Sequence, residues 1–130
     1  MGNPAALLSL ETAALERGPG AYVVTVTPRG TPHVVQAQVR VLSGGLLAQV
    51  GGRTAANTQE HPQVSVLYPS RHPGDYSLIV DGVATVESEG ADFLLRLTPN
   101  QAVLHRSGPA PDPGTSSCGS DCIRLPLPGE

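Results

Sequence analysis

The feature that most constrains this chain is its punctuation. Fifteen glycines and 13 prolines in 130 residues fall between short runs of valine, leucine and alanine instead of gathering in one low-complexity stretch. Short β-branched runs bounded by Gly and Pro read as strands joined by turns. The segment AYVVTVTPRGTPHVVQAQVRVL holds two such runs around Pro28-Arg29-Gly30-Thr31, which is hairpin chemistry. Gly44-Gly45 then turns the chain into LLAQV, a third strand closed by Gly51-Gly52.

RTAANTQEH supplies about two helical turns before Pro62, and QVSVLY a fourth strand. After the loop PSRHPGD, the run YSLIVDGVATVES is expected to be one long strand bent at a glycine bulge, although Asp81-Gly82 alone would also suit a hairpin. DFLLRLTPNQAVLHR reads as a sixth strand interrupted near Pro99-Asn100. A helix is expected to open the chain, with Asn3 as N-cap, Pro4 in its first turn, an apolar face of Leu7, Leu8, Ala14 and Leu15, and Gly18 as stop.

Six strands with short connections leave exposed edges unless the sheet closes. The expected fold is therefore mainly β: a six-stranded antiparallel barrel over residues 1–108, with one N-terminal helix and one short helix. Residues 109–130, rich in Pro, Gly and Ser, read as a tail extended or mobile outside it.

Charge narrows the partners. A net charge of −3 gives no general attraction to nucleic acid or to anionic membranes. No apolar run approaches the length of a membrane span and no secretory leader is recognisable, so the chain reads as cytoplasmic. All eight basic residues are Arg, which leaves guanidinium groups and backbone N–H groups as the means of holding an anion.

The segment GGRTAAN suits that task. Glycines let a backbone approach an anion, a following helix presents unpaired N–H groups, and Arg53 can make paired hydrogen bonds to phosphate oxygens. The same residues equally suit a Gly-Gly turn in which Thr54 caps a short helix and Arg53 is solvated.

Other chemistry is sparse. His33, His61, His72 and His105 are too dispersed for a metal motif and read as surface or turn residues, His105 with Arg106 being the pair that could reach a barrel mouth. No GxSxG elbow supports Ser65, Ser77 or Ser116 as a nucleophile. Glu87 and Glu89 alternate on one strand face, as solvated carboxylates do. Cys118 and Cys122 sit together in the tail, read as free thiols before a redox pair. No catalytic residue is assigned.

The order of TPRGTPHVV, a strand pair, GGRTAANTQEHPQVSVLY and the glycine-centred YSLIVDGVATV resembles the flavin-binding split barrels of the pyridoxamine 5′-phosphate oxidase-like superfamily, over roughly residues 4 to 106. The resemblance implies a homodimer with flavin mononucleotide (FMN) at the subunit interface and an oxidoreductase acting on a small molecule. By position, Arg53, Thr54 and the backbone around Gly52 would contact the phosphate. Gln36, Gln49 and Val50 would lie near the ribityl chain and the ring. The same resemblance covers proteins using a deazaflavin coenzyme, and the rival reading on the same barrel is a non-catalytic dimer, either a flavin or haem carrier or one that has lost its cofactor. This chain departs from it in the short ESEGA connection before the sixth strand and in Thr54, where a second basic residue can stand.

Overall fold

The computed structural model describes residues 9–107 and 120–127. The elements run α1 (Leu10–Arg17), β1 (Gly20–Val26), β2 (Pro32–Leu42), β3 (Gly45–Val50), α2 (Gly52–Glu60), β4 (Gln63–Tyr68), β5 (Ser77–Glu89), β6 (Asp92–Ser107) and β7 (Ser120–Leu125). All pairings are antiparallel in the order β3-β2-β1-β4-β5-β6-β7, and a further pairing of β3 with β6 closes six strands into a barrel.

The turns follow their residues. The β1–β2 hairpin is locked by Thr27 and Gly30, whose N–H groups donate to the carbonyls of Thr31 and Thr27 at 2.8 Å each, with Gly30 at φ 85°. Between β2 and β3 the turn is made by Ser43 and Gly44, both at positive φ, one residue earlier than expected, and Gly45 already belongs to β3. Such a pair matches the twist of flanking strands. ESEGA is a tight turn at Gly90-Ala91, with Gly90 at φ 63°.

β5 is one strand from Ser77 to Glu89, as the bent-strand reading expects. Its register against β6 steps between Asp81, opposite Gln101, and Gly82, opposite Pro99. The extra residue is Asn100, so the glycine in β5 and the Pro99-Asn100 interruption in β6 are two sides of one bulge. A Cβ on Gly82 would overlap the carbonyl of Thr98.

Alternate residues of each strand fill the barrel: Val23, Val39, Leu46, Val66, Leu78, Val80, Leu95 and Leu97 are each at most 2% exposed. With few aromatics available, Tyr68 anchors the centre. It is fully buried, its hydroxyl donates to the Val39 carbonyl at 2.9 Å, and burial pushes the phenol pKa far above its usual value.

Two expectations need correction. Ser9 caps α1, accepting from the Thr12 N–H at 3.2 Å, whereas Asn3, Pro4, Leu7 and Leu8 lie outside the described residues. The buried face of α1 is Leu10, Ala13 and Ala14, and Leu15 is 73% exposed. One step beyond Ala14 turns a side chain about 100° around a helix, which carries Leu15 away from the barrel.

The tail also contributes a strand. β7 pairs with the C-terminal half of β6, from Ala102 opposite Leu125 to Ser107 opposite Ser120, and Leu125 and Leu127 are buried against the core. It covers the part of β6 that extends past β3 and would otherwise be a bare edge. Cys122 is exposed on this strand, and Cys118 lies outside the described residues.

Leu125→Ala should therefore cost about 2–5 kcal/mol, the usual range for a buried leucine, measured by denaturant unfolding. A value near zero would place this segment outside the cooperative unit.

Candidate functional site

The site is built where two paired strands part. β2 pairs with β1 from Pro32 to Gln38, but with β3 only from Val39 to Leu42. Past that point β3 runs on alongside β6, reaching Val50 opposite Phe93, and α2 begins two residues later. The space between the first half of β2 and the start of α2 is a groove of about 360 Å³ lined by His33, Val35, Gln36, Ala37, Gln49, Val50, Gly51, Gly52, Arg53 and Thr54. Thus Arg53, Thr54, Gly52, Gln49, Val50 and Gln36, singled out from the sequence, share one groove.

On the β2 side the backbone is available. The Val39 N–H donates to the Pro19 carbonyl at 2.8 Å, so odd-numbered residues of this part of β2 bond toward β1. Antiparallel ladders alternate, and the N–H and C=O groups of Val34 and Gln36 therefore point away from β1, along the edge β3 has left. Inward-facing Val35, Ala37 and His33 are only half-buried for the same reason.

On the α2 side the helix start is open. Gly51 is the N-cap with extended backbone, and no side chain caps the helix. The first helical bond runs from the Ala55 N–H to the Gly51 carbonyl at 3.0 Å, so the N–H groups of Gly52, Arg53 and Thr54 have no partner in the preceding turn. A Cβ on Gly51 would meet nothing within 4 Å. The bare backbone leaves that space free. Thr54 is the third helical residue and only 3% exposed, so it forms the groove's floor and does not cap the helix.

Arg53 is exposed and makes no hydrogen bond or ion pair among the described residues, and no lining residue is acidic. By contrast, Arg17 donates to the carbonyls of Tyr76 and Ala13, at 2.9 and 2.7 Å, and Arg96 pairs with Glu87 at 2.8 Å. The helix bearing Arg53 is fixed from below: the buried Asn57 amide donates to Thr25 Oγ1 at 3.1 Å and Thr58 Oγ1 to the Thr54 carbonyl at 2.8 Å. Gln49 Nε2 donates to Asp92 at 3.1 Å, which orients its amide at the groove's edge.

His33 is the lining residue that sequence reasoning missed as a site residue. Its Nδ1 is buried with no hydrogen-bond partner, a state visible only once β3 is known to leave β2. His105 lies within the sheet, between Ser77 and Cys122. Arg106 stacks over Tyr76, 4.6 Å from the ring centre. Tyr76 also lines a second, larger groove of about 640 Å³ with Glu16, Arg17, Arg71, His72 and Asp75. Ser65 and Ser77 are engaged with Asp81 and the Ser70 N–H. Among the described residues no three His, Cys, Asp or Glu come together, and no helix is long and apolar enough to cross a membrane.

No protein-family model matches the chain. Its architecture is nevertheless shared with solved structures. One is a Listeria innocua protein provisionally assigned as a pyridoxamine 5′-phosphate oxidase (17% identity, 69% of this chain and 90% of that one, TM-score 0.61). Another is an F420 reductase (15%, 66% and 90%, 0.57). A third is the haem storage protein HutZ of Vibrio cholerae (20%, 72% and 92%, 0.58). The fold is thus the pyridoxamine 5′-phosphate oxidase-like split barrel.

Within that fold, the chain belongs to the family of the uncharacterized proteins Mb0449c of Mycobacterium bovis and MT0457 of Mycobacterium tuberculosis. It is 34% identical to each over 143 residues, spanning 98% of this chain and the whole of each relative.

Proposed function

We propose that this chain is an FMN-binding oxidoreductase that holds its cofactor in the groove where β2 parts from β3. The observation that carries this reading is the meeting of an unpaired arginine, an uncapped helix N-terminus and a free strand edge in one groove without acidic lining. The three N–H groups of α2 and the Arg53 guanidinium suit a phosphate. The alternating donors and acceptors of Val34 and Gln36 suit the edge of a planar heterocycle, such as the pyrimidine side of a flavin. Val35, Ala37 and Val50 offer apolar contact to its faces.

A flavin supplies hydride or electron transfer; the protein's part is to bind, orient and shield it. The deazaflavin coenzyme presents the same heterocyclic edge and a phosphate, and the F420 reductase shares this fold. It is the second reading. A haem carrier, the third, finds its support in HutZ and uses neither the anion cradle nor the strand edge as naturally.

The protein is further inferred to act as a homodimer. On the outer face of the barrel Tyr22, Leu67, Ile79 and Val103 form one row across four paired strands. Tyr22 is 36% exposed, and nearby Val34 56%. A second copy would cover that row, and sedimentation should report twice the chain mass; a monomer at micromolar concentration would remove this part of the proposal.

Arg53→Ala should weaken FMN binding roughly 10- to 150-fold, the equivalent of losing a charge-assisted hydrogen-bonded pair. Riboflavin, which lacks the phosphate, should bind both proteins alike, and the ligand-free stability should stay within about 0.5 kcal/mol. Fluorescence titration and thermal unfolding check all three. Equal losses for FMN and riboflavin would show that Arg53 does not read a phosphate.

A further inference from the structure

The start of α2 has to be set against β2 across the groove, and no ladder bond does this. β2 and β3 cease to pair beyond Val39 opposite Ala48, so the stretch of β2 from Pro32 to Gln38 is held by β1. β3 fixes the point at which α2 begins. The direction in which the helix runs over the hairpin comes from its own contacts.

Those contacts are unusual in kind. A surface helix is normally held by an apolar stripe, yet GRTAANTQE contains no Leu, Ile, Val, Met or aromatic residue, and its buried residues are Thr54, Ala55, Asn57 and Thr58. Thr58 bonds back to its own helix, at the Thr54 carbonyl. Asn57 reaches out: its amide donates to Thr25 Oγ1 at 3.1 Å, the two residues being 2% and 0% exposed. Among the described residues this is the one hydrogen bond that joins α2 to a strand of the barrel.

Thr25 is exceptional on its own strand as well. The buried residues of β1 are Ala21, Val23 and Thr25, and a hydroxyl among such neighbours is costly unless it is partnered. Thr25 is level with His33 of β2. The Asn57 amide is therefore tied to the hairpin whose second strand forms the opposite wall of the groove, about one helical turn after the N–H groups of Gly52, Arg53 and Thr54.

We propose that Asn57 and Thr25 are positioning residues, whose buried hydrogen bond sets the two walls of the groove at the spacing that one ligand can span. This rests on the flavin reading above. FMN uses both walls, with its phosphate on the α2 N–H groups and its ring on the β2 edge, whereas riboflavin uses the β2 edge alone. The bond thus governs the preference for FMN over riboflavin without touching either.

The test is titration of wild type, Thr25→Ser, Thr25→Val and the double variant Thr25→Val/Asn57→Leu with FMN and with riboflavin, at a temperature where all are folded, alongside thermal unfolding of each ligand-free protein. Thr25→Val keeps the side-chain shape but leaves the Asn57 amide unpaired. It should lower the midpoint by roughly 4–15 °C, and the preference for FMN by roughly 2- to 30-fold through the FMN affinity. Thr25→Ser keeps the acceptor and should keep the preference. In the double variant both partners are apolar, which removes the unpaired group and should bring the midpoint back toward wild type. The preference should stay low, because nothing directional then ties α2 to β1.

Recovery of the preference together with the midpoint in the double variant would make the pair merely structural and overturn the proposal. So would a wild-type preference in Thr25→Val, or a loss there that falls equally on the two flavins. Wild type that binds neither flavin, or both alike, would overturn the flavin reading and this inference with it. That outcome needs no variant, which separates it from the others.

Discussion

The close approach of β5 to β6 at Gly82 governs the rest of the molecule. No side chain fits between that residue and the Thr98 carbonyl, and the step in register there bends both long strands. Because β6 bends, its first half reaches β3 and closes the barrel, while its second half swings clear and is covered by β7. Local backbone geometry thus decides the global closure, as bulges in small barrels commonly do.

Closure at β3–β6 has a cost elsewhere. β3 stays with β6 as far as Val50 but parts from β2 after four residue pairs. The opening is partly filled by α2, which the buried Asn57–Thr25 hydrogen bond ties to β1. What stays open is lined by main-chain groups without ladder partners and by the uncapped helix start. Unpaired backbone is tolerated where water or a ligand can reach it, and the site lies where β3 and β2 are not paired. The functional proposal therefore depends on the fold, with Arg53 adding the side-chain charge that the backbone lacks.

Much of this was legible in the residues because the signals were local. Gly82 within a valine run and Pro99-Asn100 in the next strand each announced an irregularity, though not that the two face each other. The Gly-Gly-Arg segment marked both a strand end and a helix start, and the groove gathers the residues it named. β7 was hidden because only Ile123, Leu125 and Leu127 alternate in a segment dominated by turn residues, and its strand character comes from an edge of β6 far away in sequence. Leu15 was misplaced because an eight-residue helix is too short for its buried stripe to stand out. His33 reads as an ordinary hairpin residue until the strand that should cover it is seen to leave.

The central claim is that the groove between β2 and α2 is the cofactor site, and the most direct measurement is a crystal structure of the protein grown with FMN. The account predicts the phosphate on the N–H groups of Gly52 and Arg53, with the ring along the β2 edge at Val34 and Gln36. Flavin bound instead in the groove between α1 and residues 69–76, or no flavin density in either groove from a protein shown to be folded, would contradict it.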